Sequence, residues 1–312
     1  MTHSSDSLTD SALNALKSLR RNLWQYRLPL SFALGAIALL SVLITPVLSA
    51  PATAPTVQVQ PANPQLGDTL SVVIQGNGSA NPSIAFNKKT YTAFPIGSNR
   101  YRALLPTTPQ FSAGRQPLQV TVDGTVKDLA VQLRDRTFPT QSIWLGNGGD
   151  TEGTDHEFDR VDAFKALITP DKLWNGAFKR PSTGEVTTVY GVRRYYNGEF
   201  AEDYYHRGVD YAGEVGSAVV SPAAGKVVLV GRVADGFEIH GNTVGVDHGQ
   251  GVSSILIHLS RIDVKEGDTV QAGQTIGGIG STGAATGPHL HWGLYVNGLS
   301  IDPVPWRENG FE

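Results

Sequence analysis

Six of the eight histidines fall between positions 206 and 291, and four of these stand in three groupings that could do chemistry. His206-Arg207-Gly208-Val209-Asp210 sets an imidazole and a carboxylate four residues apart. They share a face whether the backbone is a strand of period two or a helical turn. His289-Leu290-His291 sets two imidazoles at i and i+2, pointing the same way from a strand. His258 stands alone in the apolar run SSILIHLS (253–260). A catalytic zinc site takes three protein ligands at about 2.0–2.2 Å and leaves a fourth position for water. One His and one Asp of the first grouping, with one His of the HLH pair, complete such a set. His258 and the remaining HLH histidine then suit two further tasks: taking a proton from water and hydrogen-bonding a developing oxyanion. The chain has no cysteine, so disulfides, thiol catalysis and thiolate metal sites are excluded.

Each grouping alone is weak. An HxxxD pattern arises by chance, and a lone strand histidine is ordinarily a satisfied core or surface residue. His240 and His248 are read as structural on that ground. His156-Glu157 is not the start of an HExxH zinc motif, because position 160 is Arg160. That pair is read as a solvated helix face. Three ligands and two spare bases within one region nonetheless make a metal-dependent hydrolase the reading of the residues taken together.

These groups need β-strands to hold them. Short segments with partial alternation, LSVVIQG (70–76), SIAFN (83–87), YRALLP (101–106), PLQVTVDG (117–124) and KDLAVQLR (127–134), are separated by Gly, Pro, Asn and Asp clusters. They predict a β-sandwich over 66–136, with Asp123-Gly124 as a hairpin turn. A connector over 137–173 carries a short helix, with Phe158, Val161, Phe164, Ala166, Leu167 and Ile168 roughly at helical spacing. Residues 174–312 return to β character and hold the histidines. The fold class expected is mainly β: an N-terminal transmembrane helix, a small β-sandwich, then a C-terminal antiparallel β domain.

Composition narrows the class. A net charge of -3 gives no sign of a nucleic-acid partner, which would show a basic stripe. Residues 1–27 carry Lys17, Arg20, Arg21 and Arg27 against Asp6 and Asp10, and 28–49 hold no charged residue. A run over 28–50 is long enough to cross a hydrocarbon core of about 30 Å as a helix. The positive-inside rule leaves 1–27 in the cytoplasm and places the later residues outside. The expectation is a single-pass anchor in the cytoplasmic membrane, with a cleaved signal peptide ending near Ala50-Pro51-Ala52 as the alternative. Residues 51–65, rich in Pro and Ala, read as an extended mobile linker.

From about Trp174 to Trp306 the sequence resembles the LytM/lysostaphin-type zinc metallopeptidase domain. The carriers are Tyr190-Gly191-Val192-Arg193-Arg194 (with Tyr190 where the family usually has Phe), His206-x-Gly208-x-Asp210, Gly280-Ser281-Thr282-Gly283, and Thr286-Gly287-Pro288-His289-Leu290-His291. VNGLSIDP (296–303) matches the segment that usually follows, and Ile257 stands where the family often has Tyr, Gly or Met. The resemblance implies a compact antiparallel β fold with the metal in a groove. It implies Zn2+ held by His206, Asp210 and His291, with His258 and His289 as catalytic histidines. It implies hydrolysis of peptide bonds in peptidoglycan stems or cross-bridges. An envelope regulatory protein is a further expected partner. Some domains of this type have lost ligands and act as scaffolds that activate amidases; all five expected positions are present here, against that reading. A lipoyl- or biotinyl-type carrier is the third reading, from VKEGDTVQAGQTIGGIG (264–280), but no modifiable Lys sits at a hairpin tip.

Overall fold

The computed structural model describes residues 55–76, 81–144 and 152–311. The leader 1–27 and the apolar run 28–50 lie outside the described residues. Among the described residues no helix is long and apolar enough to cross a membrane. The described chain is mainly β, with antiparallel sheets and few helices.

Eight strands come first: β1 (Thr56–Gln60), β2 (Thr69–Gln75), β3 (Ser83–Phe86), β4 (Lys89–Thr92), β5 (Phe94–Gly97), β6 (Arg100–Pro106), β7 (Gly114–Val122) and β8 (Thr125–Leu133). They form two four-stranded sheets, ordered β1-β2-β6-β5 and β4-β3-β7-β8. Leu70, Val72 and Ile74 of one sheet face Ile84, Phe86, Leu118 and Val120 of the other in a single apolar cluster. The alternation of each strand thus delivers one face to the core. Asp123 and Gly124 both take positive φ, 45° and 75°, and close β7 onto β8 as a two-residue hairpin. Residues 56–60, read from sequence as part of a mobile linker, instead pair with β2 along their whole length. Val57 and Val59 pack against the sandwich core, which is what fixes this strand at the sheet edge.

The second half is built on one large sheet. Its strands are β9 (Thr140–Ile143), β10 (Val186–Thr188), β11 (Arg193–Tyr196), β12 (Glu199–Phe200), β13 (Val209–Ala212), β14 (Ala218–Val220), β15 (Gly225–Gly231), β16 (Asn242–Gly249), β17 (Val252–Leu259), β18 (Arg261–Ile262), β19 (Thr269–Val270), β20 (Thr275–Gly278), β21 (His289–Val296) and β22 (Leu299–Ile301). The main sheet runs β10-β13-β21-β17-β16-β15-β19, with β22 on β21. A small sheet β14-β20-β18 packs beside it. A third, β12-β11-β9, pairs β11 with β9 in parallel.

Helix α1 (Asp155–Ala166) lies in the connector, and α2 (Val304–Glu308) follows β22. Thr154 caps α1 by accepting the Glu157 amide at 3.1 Å. The buried stripe of α1 is Glu157, Val161 and Phe164, spaced i, i+4, i+7. Val161 and Phe164 pack on Leu229, Ile255, Ile257 and Tyr295 of the main sheet. Of the six apolar residues at helical spacing only Val161 and Phe164 are buried; Phe158, Ala166, Leu167 and Ile168 are exposed.

Side chains stitch the sandwich to the main sheet. The buried Arg102 of β6 bonds the Phe311 carbonyl at 3.3 Å and Gln250 Oε1 at 3.2 Å. Trp306 Nε1 donates to Thr69 Oγ1 at 3.0 Å, and Asn297 Nδ2 to the Leu104 carbonyl at 2.7 Å.

His248 is a core histidine with both nitrogens satisfied, Nδ1 on the Ala224 carbonyl and Nε2 on Ser254 Oγ, each at 2.9 Å. Burial pushes its pKa down from 6.5 to about 4. As pH falls, the unfolded chain takes up this proton near 6.5 while the folded chain waits until about 4. Stability present above that window is therefore lost through it, by roughly 3 kcal/mol at about 1.4 kcal/mol per pH unit. Urea unfolding at pH 7.5 and 4.5 reads this loss. His248→Gln should be less stable at pH 7.5 but show a shallower pH slope; an equal slope would remove His248 from the effect.

Candidate metal centre

Register brings the histidine groupings together. β13 pairs with β21 so that Asp210 lies opposite His291, and β21 pairs with β17 so that His291 lies opposite Ile257. His206, on the segment leading into β13, is tied by its backbone to the YGVRR segment. The Gly191 amide donates to the His206 carbonyl and the His206 amide to the Val192 carbonyl, both at 2.9 Å. Tyr190 is buried where the family pattern has Phe, and its hydroxyl donates to the Ser300 carbonyl at 2.8 Å, which satisfies the extra polar atom.

The three candidate ligand atoms form a near-equilateral triangle. His206 Nε2 stands 3.1 Å from Asp210 Oδ1 and 3.0 Å from His291 Nδ1, and His291 Nδ1 stands 2.9 Å from Asp210 Oδ1. Neighbouring corners of a tetrahedron with bonds of about 2.0–2.1 Å lie about 3.3–3.5 Å apart. His206 Nδ1 is 2.8 Å from the Val189 carbonyl, which only accepts, so Nδ1 carries the proton and Nε2 offers a lone pair. Two imidazole nitrogens and a carboxylate oxygen converging on one point fit a metal ion. Burial pushes the Asp210 carboxyl up. The adjoining His206 and His291 rings outweigh it and leave Asp210 well below the usual carboxylate range. Gly208 makes the close approach feasible: a Cβ there would collide with the Trp292 carbonyl and stand 2.7 Å from His291 Nε2.

Two further histidines flank the triangle. His258 Nδ1 donates to the Thr282 carbonyl at 2.9 Å, and His289 Nδ1 to the Gly287 carbonyl at 2.8 Å. Both rings are thus held with a bare Nε2, and their centroids lie 4.8 Å apart. Burial first, then the charges of His291 and His289, push His258 down to about 3, so it remains a proton acceptor at neutral pH. His258 sits at φ 65°, a left-handed conformation that an L-residue adopts at a cost of about 1 kcal/mol. Gly280 meets this corner: a Cβ on it would stand 2.7 Å from the His258 carbonyl oxygen.

All five residues line one groove. Ile239, His240, Ile255, Ile257, Ala284 and Tyr295 line it too, with a polar wall of Gln141, Arg194, Tyr196 and Tyr204. The polar wall was not read from the sequence. Arg194 Nη1 bonds the Tyr204 hydroxyl at 2.7 Å, and Arg194 Nε bonds Gln141 Oε1 at 3.2 Å. The available signal was Asn197-Gly198, a hairpin turn between RRYY and EF.

His156 and Glu157 separate. His156 packs edge-on against Phe237 with ring centroids 6.1 Å apart. Glu157, read as part of a solvated face, is fully buried. Backbone amides of residues 238–240 reach its carboxylate and replace water there.

A triangle of two imidazoles and a carboxylate that could hold a metal ion lies in a groove on an antiparallel sheet, flanked by two further imidazoles. Residues 204–303 match the model of Peptidase family M23, and this region of the chain belongs to that family, as the resemblance from its motifs implied. The DD-carboxypeptidase/endopeptidase Mpg of Neisseria meningitidis is 40% identical over 99 residues, covering 32% of this chain and 22% of that protein. The peptidoglycan DD-endopeptidase ShyC of Vibrio cholerae is 39% identical over 98 residues, covering 31% of this chain and 22% of ShyC. The match thus spans about a fifth of the length of these curated relatives. A crystal structure of a candidate M23 peptidase from Pseudomonas aeruginosa is 26% identical with a TM-score of 0.60, covering 80% of this chain and 96% of that one. That coverage exceeds the peptidase region, so the likeness of fold takes in the sandwich.

Proposed function

We propose that this chain is a zinc-dependent endopeptidase that hydrolyses peptide bonds in peptidoglycan stems or cross-links. The observation that carries the reading is the triangle of His206 Nε2, Asp210 Oδ1 and His291 Nδ1 beside two imidazoles with bare Nε2 atoms. The family match and the peptidoglycan endopeptidase named among the relatives support the substrate.

His206, Asp210 and His291 would hold the zinc. When bound, zinc supplies a Lewis acid that polarises the scissile carbonyl and makes water a stronger nucleophile. His258 or His289 takes the proton of the attacking water at Nε2. The resulting imidazolium gives a proton to the departing amine nitrogen, and the C–N bond breaks. A protonated Nε2 on either ring also donates a hydrogen bond to the oxyanion. The carbonyls of Thr282 and Gly287 keep both rings in the required tautomer throughout. We place the peptidase region outside the cytoplasmic membrane, tethered through residues 28–50 and with an envelope regulatory protein within reach. The charge asymmetry around that run supports this placement.

The test is metal analysis of the full chain together with mass spectrometry of fragments released from isolated peptidoglycan. One zinc per chain and new amino termini within stem peptides are expected. Stoichiometric zinc with no release would support instead a non-cutting scaffold that activates an amidase.

A further inference from the structure

Two histidines outside the proposed centre invite comparison. His248 shows what a structural histidine looks like here, with both nitrogens bonded inside the protein. His240 has only one nitrogen so engaged. Its Nδ1 lies 2.7 Å from Glu157 Oε1. A carboxylate accepts and does not donate, so Nδ1 carries the proton and Nε2 is a bare acceptor. Nε2 makes no hydrogen bond among the described residues, and the side chain, 18% exposed, forms part of the groove wall.

The ring is held by an unusual fixture. Glu157 is 0% exposed, and it stands three residues after the N-cap Thr154. In a capping box this glutamate turns back to the N-cap amide. Here both oxygens accept from another segment: Oε2 from the Glu238 and Ile239 amides at 3.1 Å each, and Oε1 from the Ile239 and His240 amides at 3.1 and 2.6 Å, besides the ring. Burial pushes the Glu157 carboxyl up, but these bonds outweigh it and keep it ionised. The negative charge behind Nδ1 raises the accepting power of Nε2. The same segment adjoins the proposed catalytic corner, since the His258 amide donates to the His240 carbonyl at 3.0 Å. Ile239, Ile255 and Ile257 line the same groove.

We propose that His240 is a substrate-binding residue whose Nε2 accepts a hydrogen bond from a backbone N–H of the peptide flanking the scissile bond, with Glu157 as the residue that positions the ring. The inference rests on the endopeptidase reading, so binding and cutting are measured separately. The probe is an uncrosslinked stem peptide, titrated into the zinc-loaded full chain in a His289→Ala background, so that binding is read without cutting of stem or cross-link. His240→Ala should weaken its Kd about three- to tenfold, the loss of one hydrogen bond. His240→Gln, whose amide oxygen can stand near the place of Nε2, should recover most of that loss. The 15N signal of His240 Nε2 should shift on adding the peptide. On cross-linked substrate, KM should rise by a like factor in His240→Ala while kcat falls less. A wild type that binds the peptide but cuts nothing would sink the endopeptidase reading and leave this one standing on its Kd ratio. Equal Kd values with and without His240→Ala would overturn it, and so would an unmoved Nε2 signal with no recovery in His240→Gln.

Discussion

Asp210→Ala is expected to leave the full chain without bound zinc and with hydrolysis reduced at least about 1,000-fold. Asp210 supplies the only carboxylate of the triangle, and its Oδ1 lies within 3.1 Å of both other ligand atoms. Without it, two neutral imidazoles remain, and a divalent ion would be held by two bonds with no charge neutralised. The loss should belong to the site and not to the fold. Asp210 sits on β13 between β10 and β21, and its backbone pairing does not depend on the side chain. Asp210→Asn separates charge from shape, since it keeps the outline and one oxygen; it should still bind zinc at least about 100-fold more weakly. Metal analysis after dialysis against a weak chelator is the measurement. A mutant that kept one zinc per chain would refute the ligand assignment for Asp210.

His289→Ala should behave in the opposite way, keeping its zinc and losing about 100- to 10,000-fold in kcat, the range of a general acid-base group. Its ring is not a corner of the triangle, and its one polar tie is to the Gly287 carbonyl of its own loop. Truncation therefore removes a proton acceptor and little else. His258→Ala is a less clean experiment. Its Nδ1 bond to the Thr282 carbonyl joins β17 to the loop after β20, and its backbone holds φ 65°. Zinc content and kcat measured on the same sample decide the matter for His289. Full zinc with near-normal turnover would exclude it from proton transfer.

The ligand positions were legible because side-chain periodicity alone fixes which face a strand residue occupies. HLH at i and i+2 needs only a strand, and HxxxD needs only a regular turn or extension. What lay beyond the sequence depended on segments that meet from far apart. A glutamate in a helical heptad reads as solvated, and Glu157 is buried only because the amides of 238–240 arrive to replace water. Backbone donors leave no trace in a side-chain pattern. Gln141 and Arg194 share a wall only through the parallel pairing of β9 with β11. Thr56–Gln60 alternates over too short a stretch, after too much proline, to stand out as a strand. His240 was grouped with His248 because sequence shows that a histidine is present, not which of its nitrogens finds a partner.

The seam between the sandwich and the main sheet has a thermodynamic consequence. Arg102, Thr69 and the Leu104 carbonyl belong to the first half of the fold, yet their partners Gln250, Trp306 and Asn297 belong to the second. If the sandwich melted first, the Trp306 and Asn297 donors would exchange protein acceptors for water, at about 0.5–1.5 kcal/mol for each bond, and Leu104 would leave the main core. The two halves are therefore expected to melt together, as a single calorimetric transition. Heat absorbed by the sandwich would be spent in the same event that dismantles the groove, and a recombinant that exchanged one half for that of another protein would inherit a mismatched joint, not a free-standing module.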